Sequence, residues 1–276
     1  MSFSSRHSTS TRAVFRLSPL VMALALISPL NAFATTTNAQ ATPSENVQLQ
    51  SHHFHRDHIL GTSLDVVITG TSQQDAQRAT TAIENEIARL NQVLSTWQTD
   101  SEISQLNQQK QINASSDLYN VIAACEAWRG QTCGAFDARL GNLISMWQQA
   151  NGVLEVDANT RQQLLAQLKE SHVQIDTDSK NIQMDSAVAF APDAYAKGYI
   201  IDCALIAARE AVPHLQGILV DIGGDMRVWG SSPSQAGWQV GVQDAFNHYD
   251  NATPSQVLKL NDQAVAFSGQ GYRDLA

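Results

Sequence analysis

The spacing of apolar residues shifts along this chain from mainly helical to mainly strand-like, and that shift limits the folds open to it. Early on, apolar side chains recur every three or four positions. Ala76, Ala79, Ile83, Ile87, Leu90 and Leu94 form one stripe of a helix, opened by the capping pair Ser72 and Asp75. Leu118, Ile122, Cys125 and Trp128 repeat the pattern over about 116–129, with Gly130 as the stop, and helical segments follow at 141–149 and 157–169. After that the texture turns to strands. VQIDTD (173–178) and NIQMD (181–185) read as a hairpin, and a long helix spans 194–212. LVDIGGDMRVWG (219–230), WQVGVQD (238–244) and a second hairpin, QVLKL with AVAFSG turning at Asn261-Asp262, complete the series. An earlier strand lies within 58–70, where Leu64, Val66 and Ile68 alternate with polar residues. Helices grouped early and hairpins late predict an α+β domain with mostly antiparallel sheets and packed helices. There is no internal repeat, and the lack of GxGxxG or GxxxxGK leaves a Rossmann fold or P-loop without support.

The first 34 residues are of another kind. Arg6, Arg12 and Arg16 precede the apolar run LVMALALISPL (20–30), and Ala32-Phe33-Ala34 offers small residues where a signal peptidase reads. This predicts a cleavable secretory signal over 1–34 and export to the periplasm, an uncleaved inner-membrane anchor being the alternative. The run falls short of the roughly 20 residues a span needs. Residues 35–50 read as a disordered leader, and 51–276 as the folded domain. Without the signal the chain keeps 14 basic against 26 acidic residues, a net charge of −12. Such a surface disfavours nucleic acid and anionic lipid, whose binding depends on phosphate neutralisation. A phosphate-bearing ligand would need a local cation.

Two smaller features leave alternatives open. Cys125 and Cys133 could bridge in an oxidising compartment, or all three cysteines, Cys203 included, could be small buried thiols. The cluster His52, His53, His55 and His58 could take zinc, nickel or copper, or could be an exposed tail, since no cysteine or carboxylate set completes a closed site.

Four blocks break local structural rules. LGTS (60–63) puts glycine in a strand; STWQTDSEISQLN (95–107) sets an aromatic among polar side chains in a turn; CGAFDARLG (133–141) interrupts a helical pattern; DAYAKGYIID (193–202) places Lys197 in a helix start, where free amide groups and a cation favour an anion. A fifth, LVDIGGDMRVWG, carries Gly223 and Gly224 inside what reads as a buried strand. Such a pair marks a bulge or the close approach of another group.

Together and in order, LGTS, LSTW-x-x-DSEIS-x-LN, GAFD-x-x-LG, AKGY-x-x-D and LVDIGGD resemble the ApbE family of FAD:protein FMN transferases over about Leu60 to Gly269. The resemblance implies an ApbE-like, T-fold-related architecture. It also implies a Mg²⁺-dependent reaction in which the pyrophosphate of FAD is cleaved, FMN passes to a threonine hydroxyl of an acceptor protein of membrane electron-transport complexes, and AMP leaves. By position, Leu60 and Trp97 would line the flavin site, Ala135, Phe136 and Asp137 would be the cofactor-contacting triplet, and Lys197 would touch FAD. The Ala194 carbonyl would be a metal ligand, and Asp225 either an exposed polar contact of the cofactor or a turn carboxylate. Ala191 stands where the family often has aspartate, with Asp193 two residues on. The family continues past Ser268-Gly269 into a segment with a His-x-x-Asp-Pro type motif and further magnesium ligands, whereas this sequence ends at Ala276, so a truncated chain is expected. The alternative reading is a catalytically impaired FAD-binding or flavin-trafficking protein.

Overall fold

The computed structural model describes residues 49–149, 157–242 and 253–267. The expected signal, most of the expected leader and the Ser268-Gly269 pair lie outside the described residues.

The main sheet has five strands in the order β1 (Ser51–Ile59), β2 (Thr62–Thr69), β6 (Gly217–Ile222), β7 (Asp225–Gly230) and β10 (Ala264–Val265), every neighbouring pair antiparallel. Alternation gives it two different faces. Leu64, Val66 and Ile68 of β2 and Ile218, Val220 and Ile222 of β6 point to one side, each at most 1% exposed. There they meet α1 (Gln73–Leu94) and α6 (Asp193–Ala211), the latter through Ala204, Leu205 and Ala208. The α1 stripe is buried as its spacing predicts, and Ser72 caps the helix by accepting the Asp75 N–H. On the other side Met226 and Val228 of β7 pack with Trp238 and Val240 of β8 (Trp238–Val242) and Leu260 of β9 (Gln256–Leu260), a separate two-stranded sheet.

The middle of the chain builds the rest. α2 (Glu102–Gln109) leads into β3 (Gln111–Asn113), α3 (Ser116–Gln131), α4 (Gly141–Gln149) and α5 (Ala158–Glu170). β4 (Val173–Ile175) and β5 (Asn181–Met184) form the expected hairpin, with β3 on the far side of β5. The α+β expectation with antiparallel sheets holds.

Several local expectations are corrected. The histidine run is β1 and not a tail, and among the described residues it forms no group of three or more side chains placed to hold a metal. Pairing with β2 overrides its weak strand propensity. The strand puts its histidines on different faces: His52 is buried, its ring nitrogens 2.6 Å from Gln73 Oε1 and 2.9 Å from the Thr71 carbonyl, while His55 lies outside between Asp65 and Asp57. α3 runs through Gly130 and stops at Cys133 and Gly134, both at positive φ, where the Gly134 N–H donates to the Arg129 carbonyl. Its last turn outruns the core and leaves Trp128 48% exposed. All three cysteines are free, and Cys133 is exposed rather than buried. Six residues of helix and two beyond its end separate Cys125 from Cys133 by on the order of 10 Å, too far to bridge. Burial pushes the Cys125 thiol up to about 12. QVLKL and AVAFSG do not pair with each other: β9 pairs with β8, and β10 with β7.

Candidate active site

LVDIGGDMRVWG is two strands, β6 and β7, joined by Gly223 and Gly224 at φ 61° and 93°. A two-residue hairpin turn with both central residues at positive φ is the arrangement glycine permits at least cost. Asp221 locks the turn, Oδ1 accepting the Gly224 N–H at 2.8 Å. What approaches Gly223 is protein, while Gly224 faces open space. A Cβ on Gly223 would come within 2.6 Å of the Thr62 side chain, at the start of β2.

Thr62 follows a second tight turn. LGTS is the bend between β1 and β2, where Leu60 and Gly61 both have positive φ. This turn forms one wall of a cavity of about 620 Å³. A second wall is the end of α1 and the following turn, with Leu94 and Trp97; the third is the start of α6, with Asp193, Ala196 and Lys197. The volume lies within the range typical of small-molecule sites. Trp97 is 76% exposed, an unusual display for an indole. Its turn is held by serines. The Trp97 N–H donates to Ser95 Oγ at 3.2 Å, and Ser101, which caps α2, donates its hydroxyl to the Ser95 carbonyl at 2.6 Å.

The other motif residues brace the start of α6. Asn107 clamps the Phe190 backbone from both sides, accepting its N–H at 2.7 Å and donating to its carbonyl at 2.9 Å. The Ala138 carbonyl accepts the Ala191 N–H at 2.8 Å, and the neighbouring Leu140 bridges Ala189 in parallel. Asp137 accepts from Arg129 Nε at 3.0 Å and from the Arg139 N–H at 2.9 Å, and Phe136 packs against the core. Ala135, Phe136 and Asp137 thus do not line the cavity, but they adjoin the segment that feeds α6. Leu60, Trp97 and Lys197 are brought together. Asp225 stands behind Lys197, Oδ2 lying 3.2 Å from Nζ.

Electrostatics at this end is mixed. Desolvation raises the Asp193 carboxyl, with the Lys197 charge opposing, and desolvation likewise raises Asp221 against the Gly224 N–H that accompanies it. Two carboxylates near one ammonium leave no surplus of positive charge for a phosphate. Ala194 sits in the first turn of α6 beside Asp193. One backbone carbonyl and one carboxylate fall well short of an octahedral magnesium shell. Among the described residues no group of three or more His, Cys, Asp or Glu side chains could hold a metal. These residues do not by themselves fit that ion.

Sequence reasoning missed His58, Asn91, Gln98 and Ile200, which also line the cavity. The signal for Asn91 was at hand, one residue past Leu90 on the apolar stripe, but which side of a helix end faces a cavity depends on its neighbours in space.

A family model described as the ApbE family matches residues 60–275, starting at the cavity-lining turn. The chain belongs to the ApbE family. Curated relatives include proteins called FAD:protein FMN transferase. One from Haemophilus influenzae is 27% identical over 218 residues, covering 74% of this chain and 60% of that protein; one from Vibrio cholerae is 24% identical over 215 residues, covering 72% and 60%. The chain thus spans about 60% of the length of these relatives. Among solved structures of ApbE proteins, one from Thermotoga maritima superposes with a TM-score of 0.68 at 26% identity, covering 80% of this chain and 71% of that one. The apo flavinyl transferase ApbE of Pseudomonas stutzeri gives a TM-score of 0.64 at 18% identity, covering 81% and 72%. These likenesses agree with the ApbE architecture found here.

Proposed function

We propose that this chain binds FAD in the cavity and transfers FMN from it to an acceptor protein. The observation that carries the reading is the cavity itself, in which an exposed indole, a leucine turn and a lysine at a helix start face one another. Trp97 offers a flat apolar face to the isoalloxazine ring, and Leu60 packs beside it. Lys197 and the free amides of the first turn of α6 oppose the pyrophosphate charge. Ala135, Phe136 and Asp137, outside the cavity and next to the segment that feeds α6, are the contacts assigned to the part of FAD that reaches beyond it, and the Ala194 carbonyl would hold Mg²⁺ only together with oxygens beyond those described. In the transfer a threonine Oγ of the acceptor attacks the FMN-side phosphorus, the bridging P–O bond breaks with its electron pair leaving on AMP, and the hydroxyl proton passes to solvent. The segment 1–34 directs the chain to the periplasm, where acceptors belonging to electron-transport complexes would be met.

A second reading, an FAD-binding or flavin-trafficking protein without transfer, draws on the shortage of positive charge and of metal oxygens around Lys197 among the described residues. One assay separates the two. The protein is incubated with FAD, Mg²⁺ and a threonine-bearing acceptor, and AMP and the acceptor mass are followed. AMP appearing with a mass gain of one FMN supports transfer; intact FAD on an unchanged acceptor supports the carrier. No heat of FAD binding, with or without Mg²⁺, would sink both.

A further inference from the structure

On its helix-facing side β7 carries Asp225, Arg227 and Trp229, since Met226 and Val228 face the other core. Each meets a partner on α6: Asp225 meets Lys197 at 3.2 Å, Arg227 Nε lies 3.6 Å from Asp202 Oδ1, and Arg209 stacks 4.0 Å over the Trp229 ring. β7 and α6 are therefore clasped along their length by polar pairs outside the apolar core. Only the first pair reaches the cavity, and it does so through one member. Lys197 lines the cavity; Asp225 does not.

The position of Asp225 is fixed from behind. It is the first residue after the glycine turn, which is locked by Asp221 and set against the β1–β2 turn by the Gly223 N–H, donated to the Ser63 carbonyl at 3.1 Å, and by Thr62. Leu60 and Lys197 thus stand in one frame, with Asp225 as the link between the hairpin wall and the helix wall.

We propose that Asp225 is a positioning residue that acts through Lys197, holding its ammonium at the cavity wall without touching the bound cofactor. The ligand-binding part of this claim rests on the flavin reading; the ammonium-holding part does not. An amine held by a carboxylate at 3.2 Å is tied down by charge and by a directed hydrogen bond, each of which Asp225→Asn weakens.

The test has two arms on the full chain. In the first, wild type, Asp225→Asn and Asp225→Glu are treated briefly with an amine-acylating reagent, and Lys197 labelling is read by peptide mass spectrometry against exposed Lys169. Labelling of Lys197 should rise severalfold in Asp225→Asn and return toward wild type in Asp225→Glu. An unchanged ratio overturns the proposal. In the second, FAD dissociation constants are measured for wild type, Asp225→Asn, Lys197→Ala and the double variant. Asp225→Asn should weaken binding by up to about tenfold in the wild-type background and change nothing once Lys197 is gone, as coupled neighbours do. An equal effect in both backgrounds, or none in either, overturns it, because Asp225 would then act directly, act only on stability, or not act. Should wild type fail to bind FAD, the flavin reading falls, and the labelling arm still decides whether Asp225 holds Lys197.

Discussion

The two ends of α6 rest on the same apolar layer and are finished differently. At the C-terminal end Arg209 lies flat on Trp229, and His214, just past the helix, sits 3.0 Å from Asp75 at the start of α1. These contacts tie the helix end to β7 and α1 beside a smaller cavity of about 330 Å³, which Arg209 and Trp229 help line. At the N-terminal end Asp193 and Lys197 face a cavity, and the carboxylate of Asp193 is desolvated, which raises it. At one end the charged side chains are exposed and fastened to the rim of the fold; at the other a desolvated carboxyl and a paired ammonium line the larger of these two cavities. A desolvated titratable group in a cavity marks the N-terminal end as the candidate site.

Four measurements would break or sharpen this comparison. The largest effect belongs to the layer both ends share. Leu205, 4% exposed, supports the whole helix, so Leu205→Ala should lose about 2–5 kcal/mol in urea unfolding. A smaller loss would mean that the two ends are not mechanically joined. Next, Lys197→Ala should weaken FAD binding by about tenfold, or 1.4 kcal/mol, in calorimetry while leaving the thermal midpoint nearly unchanged. Arg209→Ala should do the reverse, costing about 0.5–1 kcal/mol of stability as an exposed cation–π pair and sparing FAD binding. Exchange of these two outcomes would overturn the assignment of roles. The smallest effect is a matter of pH. The hydrogen bond to His214, then that to Ser72, holds the Asp75 carboxyl below the usual carboxylate range. Its stabilisation is present above the unfolded carboxylate pKa and is lost as pH falls through the lower folded value. Asp75→Asn should therefore lower the melting temperature slightly at neutral pH and leave the acid end of the profile little changed, which flattens the fall between them.

How far the site could be read beforehand differs from block to block. The turn of STWQTDSEISQLN was legible because serine caps and an aromatic in a polar run act locally. Its Asn107 was not, since its partner Phe190 is 83 residues away. The glycine pair announced a close approach, yet a buried strand with a bulge and a hairpin turn give the same apolar pattern on either side. Only the pairing of β6 with β7 separates them. The histidine run misled because strand formation was judged from composition, while β1 is a strand on account of β2. The turn at Asn261-Asp262 was expected to close a hairpin. Instead Asp262, at positive φ, accepts the Gly230 N–H and delivers β10 to β7.

The sequence by itself determined the α+β class, the helix stripes and their caps, and the ordered motif blocks, because periodicity, capping and turn chemistry act over a few residues. The tertiary structure alone decided which strands pair, which face each histidine takes, and that Leu60, Trp97 and Lys197 share one cavity with Asp225 behind it. Those relations join residues from separate elements, Leu60 and Lys197 lying 137 positions apart, and they follow from how sheet and helices bury their common surface, which no local stretch encodes.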